Sequence, residues 1–167
     1  MSHYYGKYRG KVKNNIDPEQ RGRMQVSVPS IFGDFSLNWA EPCVPYAGKQ
    51  GCFYAIPPVD ANVWVEFEGG NPEHPIWSGC FWGKSELPSQ ATQTPATIPH
   101  LLFQTSGKTT LLLSDAPGPT GGILLKTGTG AQISINDTGI TISNGKGAVI
   151  KLTGSTVTIN NTALAIT

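Results

Sequence analysis

Pairs of apolar residues two positions apart run through the second half of the chain. They are Leu101/Phe103, Leu111/Leu113, Ile123/Leu125, Ile133/Ile135, Ile140/Ile142, Ile150/Leu152, Val157/Ile159 and Leu164/Ile166. Side chains two apart share one face of a β-strand, so each pair predicts a short strand aimed at a common interior. Between the pairs lie Gly, Asn, Asp, Ser and Thr, which favour turns. The last third also repeats itself. Ala131-Gln132-Ile133-Ser134-Ile135 lies over Ala148-Val149-Ile150-Lys151-Leu152, and Ile140-Thr141-Ile142 over Val157-Thr158-Ile159, at a fixed offset. Such self-similarity marks a solenoid or fibre rather than a compact enzyme core. Outward positions in the later strands are mostly Thr, Ser or Lys, as a solvated face requires. Eight strands this short make only a thin solenoid from one chain. Three chains wound together close the cross-section into a prism and remove lateral edges. The expected trimer core is Ile123, Leu125, Ile133, Ile135, Ile140, Ile142, Ile150, Leu152, Val157 and Ile159. At about 4.8 Å per layer the rod extends on the order of 40 Å.

The first half has a different rhythm. Tyr8 to Lys13 and Arg23 to Val28 alternate as paired strands, joined by a turn-rich segment from Asn14 to Gly22. Val63 to Glu68 is a third strand, with Val63, Val65 and Phe67 on one face. Ile76 to Trp82 is a fourth, after the turn from Gly69 to Pro75, and Gly51 to Ile56 is a further candidate. Helix is confined to one turn near Pro29 to Asp34 or Leu37 to Glu41. Five short strands around a small aromatic core suit a closed Greek-key barrel, of which the OB-fold is the commonest at this size. The expected organisation is a barrel over 1–87, a Pro/Thr-rich extended linker over 88–99, and a triple-stranded β-helix over 100–167.

Composition narrows the function classes. A net charge of +1 over 167 residues gives no overall field for nucleic acid or an anionic membrane. No apolar stretch approaches the roughly 20 residues of a membrane helix, and no signal peptide stands at the start. Cys43, Cys52 and Cys80 lack metal-ligand spacing. They read as buried reduced thiols, with a disulfide as the alternative.

The residues of the barrel resemble a known family. Gly6-Lys7-Tyr8-Arg9-Gly10-Lys11-Val12, the run Asp17 to Val26, Trp39-Ala40-Glu41-Pro42-Cys43, and the run Ala55 to Gly70 continuing to Pro75-Ile76-Trp77-Ser78-Gly79 look like the amino-terminal barrel of phage baseplate spike proteins. That family includes the baseplate assembly protein V group, the central spikes of contractile tails, VgrG spikes of type VI secretion and the spikes of extracellular injection systems. The resemblance implies an all-β protein, an N-terminal OB-fold barrel followed by an intertwined trimeric β-helix needle. It implies a homotrimer on a separate hub protein at the end of the tail tube, assembled in the bacterial cytoplasm into a particle, whose needle pierces the target envelope and touches its membrane transiently. No lysozyme, large hub module or His-x-His tip site accompanies these motifs, since the histidines are His3, His74 and His100. The segment Ala163-Leu164-Ala165-Ile166-Thr167 ends the repeat bluntly and is the expected seat of a separate PAAR-type tip protein.

Candidate chemistry is sparse. Glu66 and Glu68 with the nearby Glu73-His74 form an imaginable acid/base set, but no nucleophile accompanies them, and solvated strand and turn charges explain them better. No catalytic, metal or cofactor-binding group is expected. Arg9, Lys11, Lys13, Arg21 and Arg23 interleave with Tyr4, Tyr5 and Tyr8. On an OB barrel this composition fits either a single-strand nucleic-acid platform or a protein-facing surface, and the resemblance favours a hub-facing one at Tyr8, Arg9, Lys11, Arg21 and Arg23. Trp39, Trp64, Trp77 and Trp82 are expected in the core or at subunit interfaces. Two rivals to a spike remain: a nucleic-acid-binding OB protein, which leaves the repeat unexplained, and a receptor-binding fibre tip.

Overall fold

Strands β1 (Tyr8–Asn14) and β2 (Met24–Ser27) form the expected first hairpin of the barrel. Inward Val12, Met24 and Val26 alternate with outward residues there. The computed structural model describes residues 2–161 and 163–166, without the side chains of Ala165 and Ile166. It divides into two compact units, Met1–Glu86 and Leu87–Thr167.

In the first unit a one-turn helix, α1 (Pro29–Phe32), leads into β3 (Ser36–Pro42). After a small hairpin of β4 (Ala47–Gly48) and β5 (Gly51–Cys52) come β6 (Asn62–Phe67) and β7 (Pro75–Cys80). The barrel closes in the order β1-β2-β3-β7-β6, with β6 returning to β1. Only the β3–β7 pairing is parallel. The core is Val12, Met24, Val26, Val28, Ala40, Val63, Val65, Phe67 and Trp77. It is a valine core with an aromatic flank, in which Tyr4, Tyr8 and Phe32 pack on Phe67.

Three expectations are corrected here. Leu37 to Glu41 is part of barrel strand β3, because Leu37 and Trp39 alternate against β2, with Gln25 opposite Trp39. Gly51 to Ile56 supplies only the outlying β5, so β3 is the fifth barrel strand. The three cysteines are free but exposed rather than buried. Of the tryptophans only Trp77 enters the core, its Nε1 donating to the Gly22 carbonyl at 3.1 Å. Trp39 and Trp64 are half-buried, and Trp82 is 69% exposed.

The second unit opens with α2 (Ser89–Gln93), a short helix inside the segment expected to be an extended linker. Eight strands follow: β8 (His100–Gln104), β9 (Thr110–Ser114), β10 (Gly122–Lys126), β11 (Gln132–Asn136), β12 (Gly139–Ser143), β13 (Val149–Thr153), β14 (Thr156–Ile159) and β15 (Leu164–Ile166). They form one antiparallel meander in sequence order. The repeat unit is a hairpin: β11–β12 turns through Asp137-Thr138 and β13–β14 through Gly154-Ser155. Gly139 sets the first of these turns, since its φ is +136° and a Cβ there would stand 2.1 Å from the Leu152 carbonyl oxygen. Each strand of this sheet pairs with its neighbours in sequence within the one chain, which leaves β8 and β15 as the edges.

Candidate functional site

The register of the meander lines the apolar pairs into two columns on one face. Leu101, Leu113, Ile123, Ile135, Ile140, Leu152 and Val157 stand opposite one another strand by strand in the first. Phe103, Leu111, Leu125, Ile133, Ile142, Ile150, Ile159 and Leu164 form the second. Backbone pairing continues the first column to Ile166. All ten residues expected in a trimer core fall in these columns, and no charged residue interrupts them. Most are 37% to 59% exposed in the single chain, whereas a face packed on its own core would be nearly closed. Contiguous apolar surface of this kind marks an interaction face.

The opposite face has its own gradient. Leu102, Leu112 and Leu124 lie opposite one another on β8, β9 and β10, followed by Ser134, Thr141, Lys151 and Thr158. The 88–99 segment is fastened at the leucine end. The His100 ring nitrogens lie 3.0 Å from the Ile98 carbonyl and 3.2 Å from that of Ala91, and the Asp115 N–H donates to the Pro99 carbonyl at 3.0 Å. Gln90, Gln93, Pro95 and Ile98 share a cavity of about 440 Å³ with Leu112 and Leu124, and Leu112 is buried. Pair-only reading missed this third column. Its signal is present in the unbroken triplets Leu101-Leu102-Phe103, Leu111-Leu112-Leu113 and Ile123-Leu124-Leu125.

Of the expected tip residues, Leu164, Ala165 and Ile166 belong to the sheet's edge strand and Ala163 to the turn before it. Ala163 is exposed and Leu164 is 51% exposed. Thr167 and the side chains of Ala165 and Ile166 lie outside the described residues.

The five basic and aromatic barrel residues do not share one surface. Tyr8 turns inward against Phe67, its hydroxyl donating to the Tyr5 carbonyl at 2.9 Å. Arg23 is buried: its Nη2 lies 2.7 Å from Asp17 Oδ1, with side chains only 10% and 5% exposed. Asp17 also accepts from the backbone N–H groups of Glu19, Arg21 and Arg23. The Arg23 bond first, then these amides, hold the Asp17 carboxyl far below its ordinary range against the opposing effect of burial. Arg23 is pushed up, chiefly by Asp17. This pair organises the 15–22 loop, so Arg23 and Tyr8 are structural. Arg21 is exposed and paired with Glu19 and Glu41. Arg9 and Lys11 are the two that face outward from β1.

Glu66 pairs with Lys7 at 3.1 Å, while Glu68 leaves the strand in a 3₁₀ turn over Glu68–Gly70. Among the described residues no group of three or more His, Cys, Asp or Glu is placed to hold a metal ion.

Two family models match. Residues 8–82 match the "Type VI secretion system/phage-baseplate injector OB domain", and residues 100–165 match the "Phage baseplate V C-terminal trimerisation domain". The chain belongs to the phage baseplate V family. The first match covers the closed barrel, and the second begins with the eight-stranded sheet and runs into its last strand. Baseplate V membership makes the chain a component of a phage-type baseplate, assembled with other proteins into a particle. No curated protein matches the chain.

Proposed function

We propose that this baseplate V protein is the central spike of a contractile injection machine. Three copies press their apolar columns together as the core of a rigid shaft. The barrels engage a hub protein at the tail-tube end, and contraction of the sheath drives the shaft through the target envelope. The particle is assembled in the bacterial cytoplasm and meets the target membrane only in passing. A separate PAAR-type tip protein caps the end at Ala163, Leu164, Ala165, Ile166 and Thr167. The role is mechanical and asks for no catalytic group or cofactor.

One observation carries this reading: two uninterrupted apolar columns across eight strands, left open to solvent in one chain. Mechanical service follows from their construction. Each strand between the edges is hydrogen-bonded on both sides, so load spreads over many bonds, while Ser, Thr and Lys on the outer face of the later strands keep the shaft soluble. Ile133→Asp combined with Ile142→Asp places neighbouring carboxylates in the shared core, where burial of unpaired charge costs several kcal/mol or more. Sedimentation equilibrium should then give monomers where the parent protein gives trimers. Trimers that survive both substitutions would refute the proposed core. Ala163→Asp, in the exposed turn before β15 and outside both columns, should release the tip protein and leave the trimer intact, as read by co-purification of the tip from assembled particles.

A further inference from the structure

The outward side chains of β1 are Arg9, Lys11 and Lys13, all exposed and none in an ion pair among the described residues. Asp60, whose N–H donates to the Val12 carbonyl at 2.9 Å, lies next to Lys13 but is in no ion pair among the described residues, and two other nearby acids are occupied. Glu66 holds Lys7, and Glu86 accepts from the Asn62 amide and the Gly83 N–H. Arg9 is also fixed in place. It stands opposite Trp64 on β6, with its guanidinium 5.3 Å from the Trp64 ring and 4.8 Å from Phe81, and these two rings are 4.8 Å apart. A guanidinium braced on two aromatic rings keeps its N–H edge for an incoming carboxylate at little further cost in side-chain freedom. Arg and Trp side by side are the residue types that anchor protein interfaces.

We infer that the outer face of β1, with Arg9, Lys11, Lys13 and the Trp64–Phe81 aromatics, docks an acidic extended segment of a neighbouring baseplate protein. The inference deepens the hub-facing reading and rests on the chain being a baseplate component. Outward residues on β1 recur at about 6.7 Å, the same spacing at which a strand presents alternate side chains. A segment carrying Glu or Asp at alternate positions therefore meets one cation per carboxylate. Nucleic acid fits less well. The barrel unit carries eight Lys and Arg against nine Asp and Glu, so it has no general attraction for polyanions. Tyr4 and Tyr8 pack inward on Phe67, and the Trp64 and Phe81 rings serve each other and Arg9, so these rings beside β1 are not free to stack successive bases.

The test uses the full-length chain and two probes: a short peptide alternating glutamate with threonine, and oligodeoxythymidylate. The expected result is salt-sensitive peptide binding with a change in tryptophan fluorescence, weakened at least roughly tenfold by Lys11→Glu with Lys13→Glu. That variant leaves the Arg9 stack untouched, and its melting curve and trimer mass should equal the parent's. Arg9→Gln should weaken binding further. Binding unaffected by these substitutions, no peptide binding by the parent, or tighter binding of the oligonucleotide would each overturn the inference. A monomeric parent would refute the spike reading and leave the peptide comparison readable.

Discussion

Asp17 gathers the turn that joins the first two barrel strands. Its two oxygens hold three backbone N–H groups and the Arg23 guanidinium, which in turn lies over the Trp39 ring. Because the folded state lowers the pKa of Asp17 from an ordinary value of 3.8, its stabilisation is fully present above that value. It is lost as pH falls through 3.8 toward the depressed folded value. Asp17→Asn should lower the barrel's melting temperature at neutral pH and flatten its acid-side decline. A variant whose melting curve tracks the parent's from pH 7 down to about pH 3 would contradict this. Gly10 makes a second residue-scale prediction. A Cβ there would meet Val65 Cγ2 at 2.7 Å and the Ser27 carbonyl oxygen at 2.8 Å. Gly10→Ala should destabilise the barrel by about 1–3 kcal/mol in urea titration through overpacking.

At the scale of elements, the strands were legible where periodicity was clean. Val63, Val65 and Phe67 announce β6, and the paired isoleucines announce β11 to β14. β3 was obscured because its apolar residues are few and its cover comes from barrel partners distant in sequence. The cluster around β1 divides for a related reason: alternation sends Tyr8 inward and Arg9 outward, so neighbours within one strand face opposite ways. The 88–99 segment was legible only by composition. Pro and Thr predict extension, but the Leu102–Leu112–Leu124 column draws the segment into contact with the sheet. That cover has a measurable consequence. Leu112→Ala should cost about 2–5 kcal/mol, seen as earlier melting of the second unit with the barrel unaffected. Loss confined to the barrel would contradict the assignment of Leu112 to the sheet's own cover.

For the whole molecule, the two units divide the work. The barrel closes on itself and buries a complete valine core. The sheet has one face partly covered from within and the other bare, so it is complete only in company. Composition and the repeat anticipated that asymmetry; the strand order adds that the apolar columns share one face of a single-chain meander. The central claim is that the two apolar columns are the shared core of three chains, and the mass of the intact protein under native conditions tests it most directly. Native mass spectrometry of the full-length chain should give one species at three times the 17.8 kDa chain mass, persisting on dilution. A stable, soluble species at the single-chain mass, with those columns still open, would contradict the account.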